Sequence, residues 1–381
     1  MLIHNVRFAI IGAGIAGASL AYRLSEQLGS GRDILLLERE DRPGYHSTGR
    51  SAAVYTETYG PPVIRALTAA SRSFFDAPPS GFADNPLLHP LGLMLIGGEH
   101  RREKADNLFE QCRALTPTIQ YLEGDAVSNL VPVLKPEWAA VGVLEPDAMS
   151  MDVAAIHEGY LRGFKSRDGV ILTDAGVLAA DCTSGLWRLE TRNSTVNAEV
   201  VINASGAWAD EIAQMAGLSP LGIQPKRRTA LVFQAPSEHD TSTWPMINDI
   251  DETFYFKPDA GRILASPEEA TPMPPCDVQP DEYDIAVTVD RIENATTMQI
   301  RRIDNKWAGL RSFFDDGVPA LGFDPRAKGF FWLAGQGGYG ITTSDAMARL
   351  ATHRILNIPD PGEVIDKGVD LSVISPARLV K

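Results

Sequence analysis

The N-terminal stretch VRFAIIGAGIAGASL places Gly12, Gly14 and Gly17 at the junction between an apolar segment and a helix-like one. Residues 6–12 predict a strand buried on both faces, and residues 15 to about 28 predict a helix with small and apolar residues on one side. In this G-x-G-x-x-G pattern the glycines permit a tight turn, close approach of the backbone to a pyrophosphate, and close packing of helix on strand. The N–H groups and the positive dipole end of the helix N-terminus favour a bound phosphate. A chain that begins this way is constrained to a parallel βαβ unit.

A second apolar segment, DILLLE at residues 33–38, predicts the next parallel strand, and it ends in Glu38. A carboxylate at this position accepts hydrogen bonds from a ribose 2′-OH. The combination of strand, glycine turn, helix, strand and glutamate therefore predicts a dinucleotide site. The alternative is a glycine-rich turn followed by a surface carboxylate that binds no ligand.

The chain after Glu38 departs from the repeated βα units of a simple NAD-dependent dehydrogenase. It continues as ER-x-x-R-P-G into a polar loop, GYHSTGRSAAVYTETYG at 44–60, and later into short β segments between 170 and 206 that predict a β-meander. Near the C-terminus, LAGQGGYGITTS predicts a strand, a glycine-rich turn and a helix whose N-terminus would stabilise negative charge on a reduced flavin. These features favour FAD over NAD, although GQGGYG alone is also compatible with a simple tight turn.

The bulk composition of the 381-residue chain is that of an ordinary globular protein, long enough for about two domains. Its net charge of −14 argues against nucleic acid or an anionic membrane as partner, since both are polyanions. The three cysteines lack C-x-x-C spacing and the seven histidines lack a ligand pattern, so we expect neither a metal site nor a disulfide framework. The sequence shows neither the roughly 18–20 consecutive apolar residues of a membrane span nor a signal peptide, so we expect a cytoplasmic protein.

The distribution of these patterns along the chain predicts two interleaved domains. Segments 1–75, 140–220 and 322–381 carry the buried parallel strands and glycine-rich turns, and they are assigned to an FAD-binding domain. Segments 76–139 and 221–321 are assigned to a substrate-binding domain, because the longer of them carries alternating, hairpin-like strands. The predicted fold class is α/β, with a Rossmann-like FAD-binding domain of the glutathione-reductase type interleaved with an α+β domain on an antiparallel sheet.

Segments spread over nearly the whole chain resemble the D-amino-acid oxidase-like family of flavoproteins. The matching segments are, in order, IGAGIAGAS, PGYHSTGRSAA, ALTAASR, QPKRR, FYFKPDAG, IRR, WAGLRSF and QGGYGI. Within that family they are most similar to the bacterial FAD-dependent D-arginine dehydrogenases. The resemblance implies a two-domain oxidoreductase with noncovalent FAD, and none of the cysteines lies in a segment that contacts the cofactor.

The resemblance also implies a set of substrate-binding residues over the flavin. Arg228 and Arg311 would bind the substrate carboxylate, with Tyr255 as a hydroxyl donor. Tyr59 would form part of the pocket wall, and the backbone around Gly338 would accept a hydrogen bond from the substrate amine. Two guanidinium groups on one sheet suit this role, because each can bind a carboxylate in bidentate fashion and stays charged when buried. The alternatives are a solvated basic run for Arg228 and a structural ion pair for Arg311.

The same resemblance implies which residues contact FAD. The polar loop after the second strand would follow the phosphates and the flavin edge, and backbone atoms of later segments would contact the adenine and the rest of the cofactor. The implied cofactor-binding residues are Gly12, Gly14, Ile15, Ala16, Gly17, Glu38, Arg39, Ser47, Thr48, Arg50, Ser51, Ala52, Ala53, Val177, Ala204, Gly206, Trp208, Gly337, Gly338, Tyr339, Gly340, Ile341 and Thr342.

Three positions depart from the D-arginine dehydrogenase pattern. Val54 stands where that pattern has a histidine, Leu93 where it has a glutamate that faces the substrate guanidinium, and Thr342 where it has a glutamine. Without a carboxylate at position 93, a cationic substrate side chain would be buried unpaired, at a cost on the order of several kcal/mol. The sequence therefore predicts a more apolar pocket that favours a neutral, hydrophobic side chain.

The predicted activity is FAD-dependent oxidative deamination of a D-amino acid. Hydride transfer from the α-carbon to flavin N5 would give an imino acid, which hydrolyses to a 2-oxo acid and ammonia. The partners are then a small amino-acid substrate and an electron acceptor such as O₂ or a quinone. The alternatives that stay open are oxidation of an N-substituted amino acid of the sarcosine or opine type, oxidation of a 2-hydroxy acid, and a flavin-binding module without turnover.

Overall fold

The computed structural model describes residues 2–380, whose strands form two large sheets and one small one. In chain order the strands are β1 Leu2–Ile11, β2 Ile34–Leu37, β3 Val54–Tyr55, β4 Leu88–Pro90, β5 Leu93–Gly97, β6 Gln120–Glu123, β7 Val141–Glu145, β8 Met149–Met151, β9 Val170–Leu172, β10 Val177–Thr183, β11 Leu186–Thr191, β12 Ser194–Asn203, β13 Gln224–Gln234, β14 Met246–Asp249, β15 Tyr255–Asp259, β16 Arg262–Ser266, β17 Thr271–Pro272, β18 Ile303–Phe313, β19 Ala320–Phe323 and β20 Phe330–Ala334. The α-helices are α1 Ile15–Leu28, α2 Pro62–Asp76, α3 Arg102–Arg113, α4 Asp125–Leu130, α5 Val153–Lys165, α6 Ala209–Met215, α7 Glu282–Ala295, α8 Ser344–Leu356 and α9 Gly362–Ile365.

The first sheet contains the parallel βαβ unit that the sequence predicts. β1 lies between β2 and β12 and is parallel to both, and β9 is parallel to β2 on its other side. β20 runs parallel to the C-terminal half of β12, whereas the antiparallel hairpin of β10 and β11 joins the N-terminal half. The predicted α/β fold class is thereby confirmed.

The central strand β1 is apolar along its C-terminal half because both of its faces are covered. Phe8 and Ile10 pack in one core together with residues of α1 and α8, while Ala9 and Ile11 pack with Trp332 in another core. Successive side chains of a strand point to opposite faces, so alternate residues enter different cores. This explains why the sequence shows a continuous apolar run here instead of an alternating one.

The second sheet is mostly antiparallel, in the order β17-β13-β16-β15-β14-β5-β7-β6, with β18 also paired to β13. The pair β14–β5 is parallel. One row of side chains across this sheet, Met94, Ile247, Phe256 and Leu231, enters an apolar core with residues of α4 and α7. The neighbouring residues along each of these strands point to the opposite face of the sheet, and the site described below lies on that face.

The position of β7 differs from the predicted domain boundary at residue 140. The prediction assigned the chain from 140 to 220 to the FAD-binding domain, but β7 pairs with β5 and β6 in the second sheet. Its sequence VGVLE is buried at every position, so no alternation indicates which sheet it joins. A small sheet of β3, β8 and β4 follows it and connects the polar loop to the rest of the fold. The other boundaries stay predictions.

Within residues 2–380, no helix is both long and apolar enough to cross a membrane. The same part of the chain holds no cluster of three or more histidine, cysteine, aspartate or glutamate side chains placed to bind a metal ion. Cys112, Cys182 and Cys276 are free thiols.

Candidate active site

The glycine turn after β1 is closed by contacts that leave no room for side chains. A Cβ on Gly17 would come within 1.9 Å of the Gly12 carbonyl oxygen, and a Cβ on Gly12 within 2.5 Å of the Ala204 carbonyl oxygen. Gly12 also has a φ of +100°, a conformation that favours glycine. A Cβ on Gly14 would meet the Thr48 hydroxyl oxygen at 3.2 Å. The absence of side chains at these positions therefore allows α1 to lie close to β1 and β12, as the G-x-G-x-x-G pattern predicts.

A cavity of about 530 Å³ runs from this turn to the second sheet. Its volume lies within the range of about 300–1,000 Å³ that is typical of ligand and cofactor sites. Three residues that were predicted to bind FAD, Ala53, Tyr339 and Thr342, line a smaller adjoining cavity instead, and Gly17 supports the turn sterically. The predicted residues that line the large cavity are Gly12, Gly14, Ile15, Ala16, Glu38, Arg39, Ser47, Thr48, Arg50, Ser51, Ala52, Val177, Ala204, Gly206, Trp208, Gly337, Gly338, Gly340 and Ile341.

Glu38, directly after β2, occupies the position expected for a ribose-binding carboxylate. The group is buried and accepts hydrogen bonds from the N–H groups of Ala13 at 3.1 Å and Glu40 at 3.0 Å. Burial raises the pKa of Glu38 above its usual value, and these backbone hydrogen bonds oppose that shift. A carboxylate offers about four lone-pair sites. Glu38 can therefore also accept from a ribose hydroxyl in the cavity that it lines.

Two residues of the polar loop line the large cavity and also make hydrogen bonds within the protein. The Thr48 hydroxyl accepts a hydrogen bond from the Ile15 N–H at 2.9 Å and so caps the first turn of α1. The Arg50 guanidinium donates to two main-chain carbonyls at 3.0 Å and pairs with Asp277. Since its charge is already paired within the protein, the predicted contact of Arg50 with the FAD phosphates stays a prediction.

Aromatic and guanidinium side chains that pack against one another form one wall of the large cavity. The guanidinium carbon of Arg39 lies 4.7 Å from the centroid of the Trp208 ring, and the His46 ring lies 4.6 Å from it. Val177, predicted to contact adenine through its backbone, begins β10 in the same cavity. Flat aromatic ligands favour such surroundings, because ring faces and guanidinium planes stack on one another. The sequence patterns did not predict the place of His46 in this wall.

Arg228, Arg311 and Tyr255 lie on the same face of the second sheet. In the antiparallel pair β13–β18, Arg228 is opposite Gly309, and Arg311 follows two residues later on the same face. The side chain of Arg228 is 15% exposed, and Tyr255 is buried. Burial and the charge of Arg311 both lower the pKa of Arg228, but a guanidinium remains charged in such surroundings. The predicted carboxylate-binding residues are thus brought together.

These three side chains also line a smaller cavity, of about 100 Å³, that shares walls with the large one. It contains the other residues predicted for the substrate site, namely Tyr59, Gly338, Val54, Leu93 and Thr342. Its full lining consists of Ser51, Ala52, Ala53, Val54, Thr56, Tyr59, Thr68, Leu93, Arg228, Met246, Asn248, Tyr255, Glu268, Arg311, Gly338, Tyr339, Ile341 and Thr342. The small cavity is therefore the candidate substrate site.

Two tyrosines stand at one side of the small cavity. The rings of Tyr59 and Tyr339 lie 5.3 Å apart, and Tyr59 is 38% exposed, so it contacts both the cavity and the solvent. The Thr342 hydroxyl donates to the Tyr339 carbonyl at 3.0 Å. Val54 and Leu93 present aliphatic carbon to the same cavity.

The glycine-rich turn after β20 lies between the two cavities. A Cβ on Gly337 would come within 2.2 Å of the Phe313 ring, and one on Gly338 within 3.2 Å of Nη1 of Arg311. The helix α8 begins only at Ser344, so residues 335–342 of the turn, and not the first turn of the helix, line the cavities. The predicted orientation of this helix N-terminus toward the flavin stays a prediction.

A buried carboxylate that the sequence patterns did not predict, Glu268, completes the wall of the small cavity. Its side chain is 5% exposed, and its Oε2 lies 3.6 Å from Nη1 of Arg228. With its amide nitrogen turned toward this carboxylate, Asn248 donates a hydrogen bond to it. Burial raises the pKa of Glu268 to about 7, although the neighbouring guanidinium groups act in the opposite direction. Nothing in the run SPEEATP distinguishes Glu268 from Glu269, since only the fold shows which of them faces the cavity.

The chain matches known proteins over most of its length. Residues 7–354 match the family described as DAO, FAD dependent oxidoreductase. The glycine oxidase of Bacillus licheniformis is 24% identical over 373 residues, which cover 94% of this chain and 95% of that protein. The mitochondrial dimethylglycine dehydrogenase of Rattus norvegicus is 22% identical over 379 residues, which cover 94% of this chain and 44% of that protein. The chain thus spans less than half the length of the dimethylglycine dehydrogenases that it matches.

Solved structures confirm the fold. The glycine oxidase from Geobacillus kaustophilus superposes with a TM-score of 0.84 at 20% identity, covering 99% of this chain and 100% of that one. The L-alpha-glycerophosphate oxidase from Mycoplasma pneumoniae, in a structure with FAD bound, superposes with a TM-score of 0.81 at 17% identity, covering 93% and 95%. The narrower similarity to D-arginine dehydrogenases stays a prediction, because the relatives named here carry other activities. The chain belongs to the DAO family of FAD-dependent oxidoreductases, and its cofactor is FAD.

Proposed function

We propose that this chain oxidises the carbon–nitrogen bond of a small amino acid that it binds through the carboxylate. The observation that carries the proposal is the presence of Arg228, Arg311 and Tyr255 together in a small cavity that adjoins the FAD cavity. Within this class, the proposed substrate is a D-amino acid with an uncharged side chain. An N-substituted amino acid is the second candidate.

The arginine pair is arranged to receive an anion. Arg228 and Arg311 lie close enough that the charge of the second lowers the pKa of the first, so the two charges repel each other. Among the residues described, Nε of Arg228 is buried and has no hydrogen-bond partner. A substrate carboxylate offsets the repulsion and accepts bidentate hydrogen bonds from a guanidinium. The Tyr255 hydroxyl lies in the same cavity and supplies a further donor.

When bound, FAD accepts the two electrons of the oxidation. The substrate loses the hydrogen of its α-carbon and a proton of its nitrogen, so that the C–N single bond becomes C=N, and water then releases a 2-oxo acid and ammonia or an amine. The part of Arg228 and Arg311 is to fix the carboxylate so that the α-carbon lies where the two cavities meet. Glu268, the carboxylate of this cavity, is paired with Arg228. We therefore expect the amine to lose its ammonium proton to solvent, and the oxidation rate to rise with pH through the pKa of the substrate amine.

The walls of the small cavity support a small, uncharged side chain. Val54, Leu93 and Met246 present aliphatic or thioether surface to it. Its volume of about 100 Å³ is much smaller than the 530 Å³ of the FAD cavity, as expected for a site that holds a small molecule. A short aliphatic side chain fills such a space and removes apolar surface from water, whereas a guanidinium would lose hydration there.

One observation favours the second candidate, an N-substituted amino acid. Val54 places an aliphatic side chain where the D-arginine dehydrogenase pattern has an imidazole, which removes a polar partner for a primary amine and leaves apolar surface for an N-alkyl group. The matched relatives include glycine oxidases and dimethylglycine dehydrogenases, so both primary and substituted amines occur as named substrates among them.

Anaerobic bleaching of the bound flavin distinguishes these functions. The FAD-loaded protein would be mixed with D-alanine, L-alanine, D-norvaline, glycine, sarcosine and D-lactate, and the products analysed. Bleaching by D-alanine or D-norvaline with release of ammonia and a 2-oxo acid is the expected result. Preferential bleaching by sarcosine, with release of methylamine or formaldehyde, would favour the second candidate. Bleaching by D-lactate alone, or by none of these compounds, would overturn the proposed function.

A further inference from the structure

The candidate substrate site carries a carboxylate of its own, and this group faces the arginine pair. We propose that Glu268 is a specificity-determining residue that cancels one of the two positive charges of Arg228 and Arg311 and thereby excludes substrates with a second carboxylate. This inference rests on the proposed binding of a substrate carboxylate by those two arginines.

The charge balance of the small cavity determines how many carboxylates a ligand can bring into it. Within the described part of the chain, the charged side chains that line it are Arg228, Arg311 and Glu268. One carboxylate against two guanidinium groups leaves a single net positive charge for the ligand. A monocarboxylate with a neutral amine matches that charge. A dicarboxylate leaves one anion without a partner in a buried site, and buried unpaired charge is strongly disfavoured.

The side chain of Glu268 is held in position by its surroundings. Its Oε2 lies 3.6 Å from Nη1 of Arg228, and the amide of Asn248 donates to the same carboxylate. The backbone at Glu268 has a φ of +56°, in the left-handed region that residues other than glycine seldom adopt. Such conformations persist where the surrounding structure fixes them, and they cluster at ligand sites. The fold therefore presents this carboxylate to the cavity instead of letting it turn to solvent.

The place of Glu268 in the wall determines which part of a substrate meets it. Leu93 is opposite Met246 in the β14–β5 pair, and Asn248 follows two residues later on the same face of β14. Leu93 and Met246 thus form an aliphatic and thioether part of the wall, and Asn248 and Glu268 form an adjoining polar part. A substrate side chain that extends along this wall meets either apolar surface or the anion, and a carboxylate there is repelled.

The preference of the site for monocarboxylates over dicarboxylates should depend on pH, because the pKa of Glu268 lies near neutrality. Burial is the largest cause that raises the pKa of Glu268 to about 7, and the surrounding charges partly offset one another. Below that pH the carboxyl group is neutral, the site regains its second net positive charge, and discrimination against a dicarboxylate weakens. The charged and titratable groups that act on Glu268 are Arg228, Arg311, Asp249, Glu252 and Tyr255.

Two inert ligands of equal chain length, butanoate and succinate, test the proposal. Their binding to the FAD-loaded protein would be followed by the change in flavin absorbance at about pH 8.5 and about pH 6, values on either side of the Glu268 pKa. For the wild-type protein we expect succinate to bind about tenfold more weakly than butanoate at the higher pH, and the two to approach each other at the lower pH. In Glu268→Gln, whose amide oxygen can still accept from Asn248, we expect the two ligands to bind within about threefold of each other at both pH values.

Glu238→Gln is the control, because this exposed carboxylate lines neither cavity and is not among the groups that act on Glu268. It should keep the wild-type ratio of the two dissociation constants and the wild-type pH dependence. Equal binding of both ligands by the wild-type protein, or an unchanged ratio in Glu268→Gln, would overturn the proposal, as would failure of both ligands to bind. Neither ligand has a carbon–nitrogen bond, so the outcome is independent of amino-acid turnover, which the bleaching experiment judges separately.

Discussion

The guanidinium of Arg311 lies over the α-carbon of Gly338, so that a methyl group at position 338 would come within 3.2 Å of Nη1 and 3.3 Å of Cζ. These distances are shorter than ordinary van der Waals contacts, so the guanidinium can occupy its place because position 338 has no side chain. The glycine-rich turn after β20 thereby determines where one charge of the substrate site lies with respect to the FAD cavity. A single residue of the turn that follows β20 of the first sheet thus positions a binding group on β18 of the second sheet.

Gly338→Ala is expected to displace the guanidinium of Arg311 by a few tenths of an ångström or more and to lower kcat/KM for the amino-acid substrate by about tenfold. FAD content should stay near that of the wild type, because the new methyl group points at the arginine. Steady-state kinetics and the flavin-to-protein ratio measure the two effects. Gly362→Ala is the control, since a Cβ there meets nothing within 4 Å. Wild-type kinetics in Gly338→Ala would contradict the positioning role of the glycine.

Arg311→Lys tests the carboxylate clamp itself. Lysine keeps the charge but loses the planar fork, so we expect kcat/KM to fall by about 10- to 100-fold, with most of the change in KM. Arg227→Lys is the matched control on the neighbouring strand: Arg227 points to the other face of the second sheet and pairs with Asp284 at 2.9 Å. That variant should keep the wild-type KM. Equal losses in both variants would indicate a general effect on the sheet and not on substrate binding.

The parts of the fold and site that the sequence predicted are those in which local chemistry restricts the residue type. Gly12 and Gly17 have no space for a Cβ, and β1 needs apolar residues on both faces, so both features are visible in the sequence itself. The role of Glu268 depends on where the chain after β16 turns, and this turn has no comparable pattern. The sequence of β7 likewise does not indicate which sheet the strand joins, because a strand that is buried on both faces has the same continuous apolar pattern in either sheet.

Leu93→Glu tests the prediction that position 93 sets the charge of the accepted side chain. Leu93 is 7% exposed and lines the small cavity, so a glutamate there would present a buried carboxylate to the substrate. We expect the ratio of kcat/KM for D-arginine to that for D-norvaline to rise by about tenfold, and the free energy of unfolding to fall by about 1–3 kcal/mol. Leu93→Gln has a similar size without the charge and should leave the ratio unchanged. An equal ratio in both variants would show that another wall selects the side chain.

The buried carboxyl of Glu268 should make the stability of the FAD-loaded protein depend on pH. Its pKa is about 7 in the folded protein against a usual value of 4.5. A carboxyl whose pKa is raised on folding stabilises the folded state at low pH, and this contribution, on the order of 3 kcal/mol, is lost as the pH rises from its unfolded pKa through about 7. Glu268→Gln removes the titrating group, so its free energy of unfolding relative to the wild type should increase between about pH 5 and about pH 8.5. Denaturant titrations at several pH values measure this difference, with Glu238→Gln as control. A difference that stays constant with pH would mean that Glu268 is ionised throughout, in which case wild-type selectivity against dicarboxylates could not weaken at low pH.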